Sequence, residues 1–163
     1  MMKHYFYMRF LTPILIFLLS GQVYAEPVKP SSPTCQQLKG EWINELGSKL
    51  NITSVDRKSG QLSGTYTSPS GTSGNSVAMI GWMNAKPSPA KTTKESPTLS
   101  RMVVVSFSVN WGEYGSVTSW SGVCGVKEGV PTIKTIWNLA RTVDSYDWDH
   151  IITNSDTFIP KNK

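Results

Sequence analysis

From Cys35 onward the chain is a succession of short segments in which apolar and polar residues alternate. A period of two is the pattern of a β-strand with one buried face, because successive side chains point to opposite faces. Runs of turn residues such as "DRKSG" and "SPSGTSGN" separate these segments. Strands are predicted at 41–46, 49–56, 61–68, 77–84, 101–111, 116–124, 132–141 and 156–160.

Eight short strands joined by tight turns predict an all-β protein in which each strand pairs with the next. We expect an eight-stranded antiparallel up-and-down β-barrel, because closure leaves no exposed sheet edge. A barrel of this size also encloses enough space for one small ligand. A two-sheet sandwich has the same periodicity and remains the alternative. The stretch from Thr142 to Asn154 shows no clear strand alternation and is predicted to lie outside the sheet, with room for a short helical turn.

The first 25 residues have the composition of a secretory signal peptide. Lys3 and Arg9 precede or flank an apolar stretch, and "VYA" provides a small-residue cleavage site that ends at Ala25. The apolar stretch is well short of the roughly 20 residues that span a bilayer. Residues 26–34 are rich in Pro and Ser and are predicted to be a flexible lead-in, followed by one barrel domain at 35–163. We therefore expect a secreted protein, extracellular or periplasmic, that is free of the membrane after cleavage.

Charge and cysteine content narrow the function of the mature chain. Without Lys3 and Arg9 the 16 basic side chains become 14, against 11 acidic ones, so the net charge is +3. That small, scattered excess does not favour a nucleic-acid partner. Cys35 and Cys124 are the only cysteines, and an even number in an exported protein favours a disulfide over two buried thiols. The Cys and His spacing indicates no metal site.

Alternation along the predicted strands collects one set of side chains inside the barrel. Three are indoles, and seven carry a hydroxyl, amide or carboxyl group. A purely structural core would use Val, Ile and Leu, because a buried polar group without a partner is costly. Apolar walls with a few polar groups are typical of a ligand pocket. The set is Asn44, Ser48, Tyr66, Ser68, Trp111, Ser116, Thr118, Trp120, Trp137 and Asp156, and alternation through "WINELGS" adds Trp42 and Leu46 to the same face.

Six segments in this order resemble the avidin and streptavidin family of biotin-binding proteins: "GEWINELGS", "LSGTYTS", "SFSVNW", "SVTSWSG", "WNLA" and "DTF". The resemblance extends from about Cys35 to Phe158. It implies a barrel that binds biotin as its ligand, with no cofactor, no metal ion and no catalytic step. Cys35 and Cys124 match the cysteine pair of the avidin branch, which supports the disulfide.

The resemblance also assigns the polar residues to the ureido group of biotin. Asn44, Ser48 and Tyr66 would donate hydrogen bonds to the ureido oxygen, and three donors on one oxygen favour a polarised carbonyl. Ser68 and Asp156 would accept from the two ureido N–H groups. The carboxylate of Asp156 would strengthen the same polarisation.

The remaining inward residues would contact the rest of the ligand. By the same resemblance, Thr118 would face the ring sulfur and Ser116 would reach the valeryl carboxylate. The loop "PSGTSGN" departs from the family pattern, so the residue of this loop that helps to hold the carboxylate stays open. The walls of the pocket would be Trp111, Trp120, Trp137, Leu46 and Leu139.

Assembly is the last expectation that the resemblance supplies. Trp148 stands eight residues before Asp156, the spacing of an indole that family members lend to the pocket of a neighbouring subunit. This spacing implies a homotetramer. Asn138, an outward amide beside Trp137, argues for a homodimer without that contact, which remains the alternative.

Two other classes of function fit the residues less well. A Ser-His-Asp arrangement needs an inward His, but only His150 follows the signal peptide, outside the predicted strands. Asp156 is the only inward acid, so the pair of carboxylates that glycoside hydrolysis needs is missing. A lipid carrier would want an apolar interior, and a barrel-shaped protease inhibitor would act through a loop. We therefore predict a binding protein and not an enzyme.

Overall fold

The computed structural model describes residues 33–70, 74–84, 102–142, 146 and 149–161. These residues contain eight β-strands, as the alternation predicts. The strands are β1 Gly40–Asn44, β2 Lys49–Val55, β3 Gln61–Thr67, β4 Ser76–Met83, β5 Val103–Asn110, β6 Ser116–Lys127, β7 Val130–Arg141 and β8 Ile151–Pro160.

Each strand pairs antiparallel with the next in sequence, and β8 pairs with β1 to close the barrel. The predicted eight-stranded up-and-down barrel is therefore confirmed, and the sandwich is wrong. The signal peptide and nearly all of the lead-in lie outside the described residues, so both stay predictions. Within the ranges that the structure does describe, no helix is long and apolar enough to cross a membrane.

The last strand begins at Ile151, not at Asp156 as predicted, so part of the stretch that was placed outside the sheet is strand. Residues 151–154 pair with β7, for example Ile152 with Leu139. Ile151 is exposed, and so is Asn154, although Asn154 lies on the same strand face as the buried Asp156. This segment therefore lacks the contrast between buried and solvent faces that the prediction required. Pairing with β7, not local alternation, extends β8.

The hairpin between β6 and β7 is also longer than predicted. Its pairing continues beyond Cys124 to Lys127 and Val130. The two connecting residues, Glu128 and Gly129, both have positive φ angles, 51° and 81°. A two-residue turn of this kind matches the twist of the flanking strands, and glycine at its second position removes the steric cost.

One end of the barrel is sealed by apolar side chains. Leu38 lies across this end before β1 begins, and the Trp42 indole N–H donates to the Leu38 carbonyl at 2.8 Å. Cys35 and Cys124 form the predicted disulfide, with their Cα atoms 5.4 Å apart. The fully buried side chains that fill this part of the interior are Leu38, Trp42, Leu50, Ile52, Leu62, Phe107, Ile133 and Phe158.

The opposite end of the barrel is open, and the loops that follow β1, β3, β5 and β7 meet there. Antiparallel up-and-down topology requires this arrangement, because alternate connections always lie at the same end. The inward side chains nearest these four loops are therefore brought together from strands far apart in sequence.

Candidate functional site

A cavity of about 350 Å³ occupies the open half of the barrel. Its lining includes every inward polar residue that the alternation predicted, so the structure brings the whole set together. Besides the predicted site residues, the lining contains two others, Ser70 and Tyr114. The described residues that line the cavity are Asn44, Leu46, Ser48, Tyr66, Ser68, Ser70, Trp111, Tyr114, Ser116, Thr118, Trp120, Trp137, Leu139 and Asp156.

Asn44 organises the turn that leads from β1 into β2. Its side-chain oxygen accepts hydrogen bonds from the backbone N–H groups of Leu46 and Ser48, at 3.1 and 2.7 Å. Its side-chain nitrogen donates to Asp156 Oδ1 at 3.0 Å. An asparagine amide carries two N–H donors, so one N–H of Asn44 remains to face the cavity. The oxygen of this amide therefore serves the fold, and its nitrogen serves the site.

The Asp156 carboxylate is buried at the deep end of the cavity and is held by two side chains. Asn44 donates to Oδ1, and the Trp120 indole N–H donates to Oδ2 at 2.8 Å. These two bonds fix the plane of the carboxylate, and each oxygen keeps a further lone pair for another donor. Trp120 was predicted only as a wall of the pocket, and its anchoring of Asp156 is a second role.

Tyr66 forms part of the cavity floor between the polar end and the sealed core. Its ring lies 4.8 Å from the ring of Trp120 and packs edge-on to Trp111 at 5.9 Å. Burial raises the pKa of the Tyr66 phenol to about 12; the charges of Asp156 and Glu45 act in the same direction, and a hydrogen bond with Ser48 opposes them. The phenol therefore remains a protonated donor across the neutral pH range.

The side wall of the cavity is aromatic and contains a further hydrogen bond. The Trp111 indole N–H donates to Thr118 Oγ1 at 2.8 Å. Because this oxygen already accepts one bond, the Thr118 hydroxyl proton is free to turn toward the cavity. Trp137 and Leu139 are half-buried and complete the wall from β7.

The position of Leu46 corrects one step of the sequence analysis. The chain does not continue as a strand through "WINELGS": β1 ends at Asn44, and residues 45–48 form a turn in which Gly47 has a φ of 78°. Leu46 is consequently 72% exposed and not buried on the inward face. It still lines the cavity, because the turn holds it at the mouth.

Two lining residues were missed or left open, and one predicted site residue falls outside the described residues. Tyr114 belongs to a short 3-10 turn, Gly112–Tyr114, between β5 and β6. Its position between the predicted site residues Trp111 and Ser116 was the signal that could have identified it. Ser70 lies in the loop that departs from the family pattern. Trp148 falls outside the described residues, so its predicted role stays a prediction.

The described residues offer no metal centre. Across the described ranges, which omit 1–32, 71–73, 85–101, 143–145, 147–148 and 162–163, no three His, Cys, Asp or Glu side chains are close enough to hold a metal ion. The site is instead a set of fixed hydrogen-bond donors and acceptors between aromatic walls. Such a site can bind a neutral polar group in a defined orientation.

The sequence is similar to known proteins of one family over most of its length. A sequence model of the Avidin family matches residues 32–161. Avidin from Gallus gallus is 29% identical over 140 residues, and the alignment covers 84% of this chain and 85% of that protein. Avidin-related protein 4/5 from Gallus gallus has the same identity and coverage. Avidin-related protein 2 from Gallus gallus is 28% identical over 143 residues, or 87% of each chain.

Proposed function

The chain belongs to the avidin family, and from that premise we propose that it binds biotin in the cavity of its barrel. The observation that carries the proposal is the deep end of the cavity. There the Tyr66 phenol and the Ser48 hydroxyl share a hydrogen bond, one N–H of Asn44 is a further donor, and the Asp156 carboxylate is an acceptor. A ligand oxygen that accepts from both hydroxyls would replace the hydrogen bond between them.

A cyclic urea has the complementary chemistry, because its carbonyl oxygen lies between two N–H groups. The oxygen would accept from Tyr66, Ser48 and Asn44, and one N–H would donate to Asp156. Ser68, which also lines the cavity, would accept from the other N–H. Fixed donors around one oxygen stabilise negative charge on it, and the aromatic wall supplies apolar contact for the fused ring.

The ring and the tail of biotin would follow the wall toward the mouth. Thr118 would donate its free hydroxyl proton to the ring sulfur, since its oxygen is occupied by Trp111. Ser116, nearer the open end of β6, would reach the carboxylate. The side chains that would enclose the ring are Trp111, Trp120, Trp137, Leu46 and Leu139.

We propose binding without catalysis and without a cofactor. Among the cavity-lining residues that the structure describes, Asp156 is the only acid and no histidine occurs. Both of its oxygens are already engaged by Asn44 and Trp120, which suits a fixed acceptor better than a group that transfers protons.

Retention on biotin-agarose tests this function directly. The folded protein should stay on the resin and be released by denaturant or by excess free biotin, and an equal concentration of a fatty acid should not release it. Release by the fatty acid would indicate a lipid carrier. A folded protein that passes straight through the resin would contradict the proposal.

The outer surface of the barrel supports a homo-oligomer. Strands β4 to β8 expose apolar side chains toward solvent, an arrangement that often marks a surface covered by another subunit. Asn138 does not oppose such burial, because its side-chain oxygen accepts from the Thr153 hydroxyl at 2.7 Å. The exposed residues are Ile80, Trp82, Val104, Val117, Val123, Ile136 and Ile151.

We favour the homotetramer in which Trp148 closes the cavity of a neighbouring subunit, with a homodimer as the alternative. The Trp148→Lys protein should then show a smaller mass by light scattering and a faster release of biotin. Ile136→Lys, a change on the outer surface, should also reduce the mass, and it should speed the release of biotin only if the lost contact is the one that supplies Trp148. If Trp148→Lys alters neither the mass nor the release rate, Trp148 serves only its own subunit.

Export is the final part of the proposal. The disulfide between Cys35 and Cys124 is fully buried, and disulfides form and persist in oxidising compartments. Together with the predicted signal peptide, this supports a secreted protein, extracellular or periplasmic. Sequencing the N-terminus of the exported protein should find Glu26 as the first residue.

A further inference from the structure

One peptide group of β8, the one between Asp156 and Thr157, is bound by a side chain at each of its two polar atoms. The Thr135 hydroxyl donates to the Asp156 carbonyl at 3.3 Å. The Thr157 N–H donates to Glu45 Oε2 at 3.1 Å. Thr135 belongs to β7 and Glu45 directly follows β1, so the two side chains reach this peptide group from the two strands that flank β8.

Glu45 provides an acceptor where the pairing of β1 with β8 has ended. The last residues in register between the two strands are Asn44 and Phe158, and β1 ends at Asn44. At the next position of β8, the Thr157 N–H is bound by the Glu45 carboxylate and not by a residue of β1. A carboxylate is a stronger acceptor than a neutral carbonyl. Glu45 therefore extends the contact between β1 and β8 to the residue next to Asp156.

Thr135 carries a buried hydroxyl that does not line the cavity. Its side chain is 4% exposed and lies opposite Asp156 in the register of β7 and β8. A buried hydroxyl is costly unless it is hydrogen-bonded, and the partner of this one is the Asp156 carbonyl. The hydroxyl therefore binds the backbone of the residue that supplies the carboxylate of the cavity.

The direction of the Asp156 side chain depends on its backbone as well as on its oxygens. Asn44 and Trp120 donate to the two carboxylate oxygens from β1 and β6. A tilt of the peptide group that follows the Asp156 Cα atom would move the carboxylate relative to both donors and to the cavity. Hydrogen bonds weaken steeply when their geometry departs from the optimum, so a binding site needs such supporting contacts around the residues that touch the ligand.

We propose that Glu45 and Thr135 are positioning residues: by holding the peptide group after Asp156 from both sides, they set the direction in which its carboxylate points into the cavity. That this direction matters for biotin rests on the proposed function. Neither side chain lines the cavity, so their effect on binding passes through Asp156.

The first test measures the rate of biotin release from the Thr135→Val and Glu45→Ala proteins. Each change removes one hydrogen bond and should speed release about fivefold, the factor that corresponds to the net contribution of one such bond. In the Asp156→Ala protein the same two changes should have no further effect, because the group that they position is gone. Equal effects with and without the Asp156 carboxylate would overturn the proposal.

Conservative variants separate positioning from packing. Thr135→Ser keeps the hydroxyl but loses a buried methyl group, so it should lower the free energy of unfolding while keeping the release rate of the wild type. Glu45→Gln keeps an acceptor oxygen for the Thr157 N–H and should release biotin more slowly than Glu45→Ala. Release from Thr135→Ser that is as fast as release from Thr135→Val would overturn the role of the hydroxyl.

Thr132→Val is the matched control on the same strand. Thr132 is also buried, at 6% exposure, and its hydroxyl donates to the Val130 carbonyl at 3.1 Å, at the end of β7 that does not line the cavity. Its replacement removes the same kind of hydrogen bond and should leave the release rate unchanged. The same acceleration in Thr132→Val and Thr135→Val would show a general effect of buried hydroxyls and would overturn the proposal.

A measurement without biotin separates this inference from the proposed function. The Trp120 indole N–H reports on the Asp156 carboxylate, to which it donates at 2.8 Å. In the ligand-free protein its NMR resonance should shift in Thr135→Val and Glu45→Ala and should stay in place in Thr132→Val. A resonance that stays in place in all three proteins would overturn the positioning role. Shifted resonances in a protein whose wild type does not bind biotin would overturn the proposed function and not the positioning of Asp156.

Discussion

Two halves of one barrel interior, equally buried, have opposite chemistry. On β8, Phe158 and Asp156 face inward two residues apart, and their exposures are 0% and 4%. On β1, Trp42 and Asn44 form the same pair with 0% and 6%. The first member of each pair belongs to the sealed end and packs against apolar side chains. The second belongs to the open end and lines the cavity.

The difference shows that one half of the interior stabilises the fold and the other half forms the cavity. A cavity lined by polar groups forgoes the apolar burial and packing of a filled core, so it contributes little to the free energy of unfolding. The sealed half compensates with a dense aromatic and aliphatic core, the Trp42–Leu38 hydrogen bond and the disulfide. Changes in the sealed half should therefore affect stability, and changes in the open half should affect binding.

Removing the disulfide should give the largest effect. The Cys35→Ser, Cys124→Ser double variant should lose about 4 kcal/mol of unfolding free energy, because the bond closes a loop between residues 89 apart in sequence. Chemical denaturation would measure the loss. At a temperature where the variant is folded, its affinity for biotin should match that of the wild type. A matching loss of affinity would mean that the two halves are not separable.

Replacing Asp156 should weaken binding more than stability, the opposite of the result expected for the disulfide. Asp156→Ala should weaken biotin by about 3 kcal/mol, since a buried charge-assisted partner of the ligand is lost. The free energy of unfolding of the ligand-free protein should fall by less, about 1 kcal/mol, because the donors of Asn44 and Trp120 lose this acceptor. Calorimetric titration and thermal unfolding give the two values. Collapsed stability with unchanged affinity per folded molecule would make Asp156 a structural residue.

Alkaline pH should lower the free energy of unfolding through Tyr66, which lies between the two halves of the interior. Burial raises the pKa of Tyr66 from 10.0 to about 12 in the folded protein. The resulting stabilisation is complete below about pH 10 and is lost as the pH rises to about 12, a change of about 2–3 kcal/mol. The Tyr66→Phe protein should lack this part of the decline in denaturation measured against pH. Identical pH profiles for the two proteins would exclude a buried phenol.

The smallest effect concerns the donors to the ureido oxygen. Ser48→Ala should cost about 1–3 kcal/mol of binding free energy, and its effect should not add to that of Tyr66→Phe. Because Ser48 and Tyr66 are hydrogen-bonded to each other without ligand, the double-mutant cycle should be run for unfolding as well. If the coupling energy measured in binding exceeds the coupling energy measured in unfolding, the two side chains share a ligand atom. Strict additivity would show that they do not share one.

Much of the fold and of the cavity could be predicted because alternation is a local property. A period of two assigns each side chain to one face, and the inward polar residues found in this way all line the cavity. The sequence predictions fail where a turn ends a strand early and where pairing with a neighbouring strand extends one. Leu46 was assigned to a strand face that ends at Asn44, and Tyr114 lies in a turn that has no alternation.

The sequence by itself determined which side chains within the strands point inward, that the strands pair in order and that the two cysteines belong together. Tertiary structure decided which part of the interior is filled and which is left open. It also decided that the Asn44 oxygen serves a turn, that Trp120 holds Asp156, and that β8 begins at Ile151. These outcomes depend on contacts across the closed barrel, such as that between Asn44 and Asp156, 112 residues apart. No local pattern encodes such a contact, because only barrel closure brings β1 and β8 together.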